Sequence, residues 1–307
     1  MNGATRQGGI ALLAAIVVVA LGTVLVAALL DLGESARARS RNALRAEQSW
    51  QLALGAELWA ADLLRQDEQA RQGFDAPGDL WTRMLPPVPL PNGRLSGSLR
   101  DAGACLDVNL LADPSRAPLQ RQRLARLLRA LRLDPALEAA ISDFVDEDGR
   151  TRPGGAEDGA YLRRRPPLRA PNRPLVHVSE LRLVEGMDAE TWGRLRPHLC
   201  ALPEPAPMNL NFIGPELWMS LFDGLSEQVA RQLWRDGQAH YQSLDEVEAE
   251  ALRLGLGPLP REGLGLYSTW FVLELEVDVD GLPFQYAALM QRGPGGATTR
   301  MRLRGRW

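Results

Sequence analysis

The chain has 307 residues, 45% of them hydrophobic and 24% charged, enough to bury a sizeable core and to build more than one domain. Its formal net charge of -3 gives no global attraction to nucleic acid, and every basic residue is arginine. No P-loop, Gly-x-Ser-x-Gly elbow or zinc-protease histidine pair occurs, and the lone Gly-x-Gly phrases at Gly255 and Gly263 precede no phosphate-binding βαβ unit, so an enzyme is not expected.

The first element dominates the chain. Arg6-Gln7-Gly8-Gly9 runs directly into an uninterrupted apolar segment from Ile10 to Leu30, long enough to cross a bilayer as a helix. The short polar leader, with two glycines before the apolar run, departs from a secretory signal. Arg6 and the amino terminus form a positive flank that favours a cytoplasmic N-terminus and places the remainder across the membrane. From Asp31 to about Gln72 no proline interrupts a stretch rich in good helix formers. Leu44, Trp50, Leu54, Leu58, Trp59 and Leu63 mark one apolar stripe there, so the membrane helix is expected to continue as an amphipathic one.

Phe74 to Pro91 is rich in Pro, Gly and Asp and reads as an irregular loop. Arg94 to Val108 alternates as a strand. From Leu110 to about Gly263 the apolar positions follow helical spacing, with Pro and Gly punctuation. Two loose internal similarities suggest duplicated helical modules. Val108-Asn109-Leu110 resembles Met208-Asn209-Leu210-Asn211, and His177 to Leu181 resembles Tyr241 to Val247. At the far end Phe271 to Asp280 alternates apolar with acidic residues, Gly281 and Pro283 turn, Phe284 to Arg292 returns, and Thr299 to Arg306 alternates apolar with basic residues. The basic row is expected to pair with the acidic one. Strands at both ends with helices between them imply an inserted domain.

Within the insertion Asp143, Asp146, Glu147, Asp148, Glu157 and Asp158 crowd oxygen ligands around the loop Gly149 to Gly155, a composition suited to a hard cation. Asp146, Asp148 and Glu157 stand at the first, third and twelfth places of an EF-hand-like loop, but Arg150 and Thr151 break that pattern. The bland reading is a solvated acidic loop neutralised by Arg163, Arg164 and Arg165. Cys105 and Cys200 lie outside the cytoplasm by the topology above, where a disulfide persists; two buried free thiols are the alternative. His177, His198 and His240 form no metal-ligand spacing with a cysteine.

A glycine-ended leader ahead of a hydrophobic helix that runs on into an amphipathic one resembles the N-terminus of type IV pilins and type II secretion pseudopilins. The resemblance implies cutting by prepilin peptidase between Gly9 and Ile10. Most members then carry glutamate at the fifth mature position, where this chain has Ala14; the large minor subunit called protein K typically lacks it. Asp143-Phe144-Val145-Asp146-Glu147-Asp148, followed by Gly155-Ala156-Glu157-Asp158 and Tyr161, is similar to the acidic motif of that family.

The resemblance implies an α+β fold: a leader over residues 1–9, a transmembrane helix over 10–30, a pilin-like helix and first strands over 31–108, an inserted all-helical domain of SAM-like repeats over 109–264, and pilin-like antiparallel strands over 265–307. It implies calcium at Asp143, Asp146, Asp148, Glu157 and Asp158. It also implies a single-pass inner-membrane protein with its C-terminal domain in the periplasm, assembling with other minor pseudopilins and the major pseudopilin and capping the tip of a pseudopilus. An exported helix-hairpin-helix-type protein for DNA binding or uptake, or a type IV pilus minor pilin, is the rival; with one glycine in the turn at Gly186, nucleic acid is not expected as a partner.

Overall fold

A computed structural model describes residues 7–70, 73–83, 85–293, 295–305 and 307. The leader residues 1–6, the expected helix end at 71–72 and Arg306 of the basic row lie outside the described residues. Helix α1 (Gln7–Ala70) is one element of 64 residues, about 96 Å long at the α-helical rise. Among the described residues it is the one helix long and apolar enough to cross a membrane. Leu12, Ile16, Leu21 and Leu25 in its first half are all more than half exposed within the chain.

Strand β1 (Leu85–Leu90) follows and pairs antiparallel with β2 (Gly93–Asp101). The region read as an irregular loop therefore ends in a strand. Its prolines are tolerated because β1 is at the sheet edge, with a register shift between Leu85 and Val88.

The insertion then runs through β3 (Leu106–Asp107), α2 (Ala117–Ala130), α3 (Leu137–Val145), α4 (Asp158–Tyr161), α5 (Ala189–Leu195), β4 (Leu199–Cys200), β5 (Met208–Asn209), α6 (Pro215–Leu221), α7 (Glu227–Trp234), α8 (Leu244–Arg253) and β6 (Leu264–Gly265). It is not all-helical as expected. β3 pairs parallel with β4 and β5 with β6, giving the buried backbone of the entering and leaving segments its hydrogen-bond partners.

The internal similarity has a physical counterpart. Asn109 donates to Leu175 O at 3.0 Å and accepts from Leu175 N at 2.7 Å. Asn211 holds Tyr241 the same way, at 3.0 and 2.8 Å. Two residues before each, Asp107 and Asn209 accept from the Asn109 and Asn211 amides. Two residues after each clamped position a helical turn starts, capped by His177 or by Ser243. Glu180 and Glu246 reach back to the backbone there. The equivalence is thus Asn109 with Asn211, two positions from the match suggested by the letters alone.

Strands β7 (Trp270–Val279), β8 (Leu282–Gly293) and β9 (Gly296–Arg304) complete an antiparallel sheet in the order β1-β2-β7-β8-β9. Since β9 lies beside β8, its arginines do not face the acidic row of β7. Arg302 instead pairs with Glu57 on α1, and Glu274 of β7 has Arg100 of β2 at 3.8 Å.

The C-terminal half of α1 packs on one sheet face through Ala53, Ala60 and Leu64 against Leu99, Phe271, Leu273 and Met290. The opposite face, with Trp270, Val272 and Leu289, is covered by the Cys105–Cys200 disulfide and Leu202. Both faces of the start of β7 are buried for this reason, and the alternation expected there emerges only from Leu273 onward.

Candidate functional site

Helix α3 presents Asp143 on its buried last turn, and the chain then leaves the helix at Asp146 in extended conformation. Asp143 is fully buried. Its carboxylate accepts from Arg152 Nη1 at 2.6 Å and from Arg152 N at 3.0 Å. Arg152 Nη1 also bonds Asp146, so one guanidinium stands between two carboxylates. Gly155 is required here: a Cβ on it would meet Asp143 Oδ2 at 2.0 Å.

Glu157, also buried, accepts from Asn172 Nδ2 at 3.3 Å, and the same amide reaches Asp148 O. Burial raises the Asp146 carboxyl above its ordinary range against the pull of Arg152. Burial likewise raises that of Glu157, against the Asn172 bond and with help from the charges of Asp143, Asp146 and Asp148.

Among the described residues three buried oxygens in this cluster find no hydrogen-bond donor: Asp146 Oδ1, Glu157 Oε1 and Asn172 Oδ1. All three are acceptors on hard ligand types, the deficiency a hard cation would fill. The donor chemistry therefore fits calcium. Among the described residues, however, no three His, Cys, Asp or Glu side chains are assembled in metal-holding geometry. Arg152 would have to yield its place between Asp143 and Asp146.

Of the residues expected as ligands, Asp143, Asp146 and Glu157 are brought into this buried cluster. Asp148 Oδ1 is occupied by Arg150 N at 2.8 Å, and Asp158 holds Ala170 N at 3.0 Å. Asn172 and Arg152 were not singled out from the sequence. An amide after a proline-rich stretch carries no ligand signature, and an arginine among acids reads as neutralisation.

A second surface lies along α1. Leu58 is 73% and Trp59 46% exposed, whereas Trp50 and Leu63 pack on the sheet, so the expected stripe is split between two faces. Ala53 and Ala60 lie beside Leu63 and Leu64 on the sheet side and let the helix backbone approach the strands closely. Leu52, Ala56 and Trp59 of α1 with Pro86, Val88 and Leu90 of β1 line a groove of about 590 Å³.

A helix with an exposed apolar half, an antiparallel sheet packed on its other half and a large helical insertion between strands define a helix-anchored α+β protein. Residues 104–204 match the family described as Type II secretion system (T2SS), protein K. The Type II secretion system protein K of Pseudomonas aeruginosa is 30% identical, over 94% of this chain and 90% of that one. That of Klebsiella pneumoniae is 32% identical, over 94% and 93%. A chain in the crystal structure of the GspK-GspI-GspJ complex from the enterotoxigenic Escherichia coli type 2 secretion system superposes with a TM-score of 0.77. That match has 27% identity and covers 88% of this chain and 100% of that one. The chain belongs to the type II secretion system protein K family.

Proposed function

We propose that this chain is a minor pseudopilin that caps the tip of a periplasmic pseudopilus and helps start its assembly. The observation that carries the reading is the division of labour on α1. Ala53, Ala60, Leu63 and Leu64 hold the sheet while Leu44, Leu58 and Trp59 stay exposed on the same helix, an apolar surface of the kind that partner helices cover. The structural relative is a chain of a GspK-GspI-GspJ complex, and the partners proposed here are other minor pseudopilins and the major pseudopilin. The insertion obstructs stacking of a subunit above, and Ala14 offers no carboxylate to a neighbour's terminal amine.

On this reading prepilin peptidase cuts between Gly9 and Ile10, α1 anchors the chain in the inner membrane, and the sheet and insertion lie in the periplasm. The duplicated modules are of SAM-like type, and the protein has no catalytic role. Co-expression with the pseudopilins of its own system and pull-down from membranes tests the assembly. Recovery of those partners is expected, with loss in Leu58→Asp, whose exposed position leaves the fold intact. Retention of wild-type recovery by that variant, or no recovery by the wild type, sinks the reading. The mature N-terminus should begin at Ile10 by mass.

The acidic loop is proposed to take calcium through Asp143, Asp146 and Glu157, with Asn172 as a further oxygen and Asp148 and Asp158 at its edge. Bound calcium would supply the charge that these buried oxygens lack and fix the loop. A hundredfold excess of calcium over its Kd would stabilise the chain by about 2.7 kcal/mol. Thermal unfolding with calcium and with chelator should differ accordingly, and Asp146→Asn should erase the difference. Identical unfolding curves in wild-type protein exclude the site.

A further inference from the structure

Where the two modules of the insertion meet, α2 faces the linker 205–207 and the segment just before β6 across a cleft of about 360 Å³. One wall is Leu110 and Leu119; the other is Pro205, Ala206 and Pro207. Arg123 lines it, although only 3% of that residue is exposed. Its Nη2 donates to Glu262 O at 2.6 Å and Pro260 O at 3.3 Å, while its buried Nε finds no acceptor among the described residues.

Among the described residues Arg123 makes no ion pair; Glu262 acts on it only through space. Main-chain carbonyls satisfy part of its hydrogen bonding but none of its charge. A buried guanidinium without a counter-ion is a costly arrangement that a bound anion relieves. Burial accordingly pulls its pKa down to about 10.

Glycine is what separates the buried guanidinium from the cleft at this wall. Gly263 has φ +69, and a Cβ there would sit 3.4 Å from Arg123 Nη1, so no side chain screens it on that side. Arg116 stands in the lining with its Nε 3.6 Å from Asp113, and Gln120 spends its amide on Asp107 O. Apolar walls around a buried arginine, with Arg116 already paired to Asp113, favour an anion with a hydrocarbon body over free phosphate.

We infer that this cleft binds a carboxylate carried on a short apolar stem, such as the C-terminal residue of an apolar peptide, with Arg123 as its buried counter-ion. The site is separate from the acidic loop and from the α1 groove, and its existence does not depend on the assembly proposed above. A fork-shaped guanidinium donates two parallel bonds to a carboxylate, and the walls cover the stem.

The test is calorimetric titration of the full chain in detergent micelles with three probes. They are N-acetyl-alanyl-prolyl-leucine as the free acid, the same peptide as its amide, and amidated N-acetyl-alanyl-prolyl-glutamate. Saturable binding of the free acid, with the amide at least about tenfold weaker, is expected. Equal or tighter binding of the glutamate peptide assigns the carboxylate to a side chain instead of a terminus. Failure of both carboxylate peptides to bind, or equal binding of free acid and amide, overturns the proposal.

Arg123→Met should abolish the acid-over-amide preference. Should that variant not fold, Glu262→Gln gives an independent measure, since it keeps the carbonyl that holds Arg123 and removes the repelling charge. It should tighten the free acid by about two- to fivefold and leave the amide unchanged. An unchanged free-acid affinity in Glu262→Gln counts against the site.

Discussion

Asp107 is a buried carboxylate with a single-sided set of partners. Its Oδ1 accepts from Asn109 N at 3.1 Å and from Leu202 N at 3.2 Å, while Oδ2 is buried with no partner among the described residues. Burial pushes its carboxyl up to about 7, against those two amide bonds, and burial also pushes Asp101 and Asp67 up to about 6. A raised carboxyl binds a proton in the folded state that the unfolded chain, at 3.8, has already released. Stability from these groups is therefore present near pH 4 and is lost as the pH rises through about 7. Thermal unfolding in chelator across that range should show the decline. Asp107→Asn should flatten it by about 1.4 kcal/mol per pH unit at most, one proton's worth. An unaltered pH profile in that variant would mean that Asp107 is ionised throughout. Little of this was legible beforehand: Asp107 ends a strand pattern, and its second amide partner lies far along the chain. The acidic loop was legible because its ligand-type residues are contiguous. Asn172, which joins them only through the fold, was not.

Apolar periodicity marks the large side chains of α1 without saying which of them meet the sheet. Trp50, Leu63 and Leu64 do, beside Ala53 and Ala60, while Leu58 and Trp59 do not. Glu57 sits on the sheet side, 6% exposed, bonded to Tyr286 Oη and to Arg302. Although burial acts to raise the Glu57 carboxyl, bonds from Arg302, Thr299 and Tyr286 hold it below the usual carboxylate range. Glu57→Ala leaves the Tyr286 hydroxyl and the Arg302 guanidinium without this acceptor and should cost about 2–4 kcal/mol. Arg302→Ala, removing a side chain that is 45% exposed, should cost less. Chemical denaturation of the two variants checks the order. The reverse order would show that Glu57 does not anchor α1 to the sheet. β1 was missed because prolines exclude a central strand but not an edge, and only the sheet order reveals which strand is the edge.

At the scale of the whole molecule, the insertion is fastened where it leaves and rejoins the sheet. The disulfide joins Cys105 to Cys200, 95 residues apart, and lies against Trp270 and Val272. Buried Arg292 of β8 gathers Asp67 at the end of α1 and Asp75 after it. The backbone carbonyl of Asp75 receives the amides of Asn209 and Asn211 from the second module. Closing so long a loop constrains the unfolded chain by about 4–5 kcal/mol. The double variant Cys105→Ala, Cys200→Ala should lose stability of that order in denaturant titrations, while retaining the helix content of α1. A loss below about 1 kcal/mol would place the fastening in the Arg292 cluster instead.

The sequence by itself determined the elements whose signals are local: the apolar run that makes α1 long and apolar enough to cross a membrane, the alternation of β2 and β7, the repeated asparagine phrases and the acidic loop. Each rests on periodicity or on contiguous residue types, which need no knowledge of what packs nearby. Tertiary structure alone decided which face of α1 meets the sheet and that β9 lies beside β8, away from the acidic row. It also decided that Asn172 joins the loop and that Arg123 is buried with no ion-pair partner among the described residues. Those outcomes depend on which distant surfaces meet and on how much water they exclude, quantities no stretch of chain carries on its own.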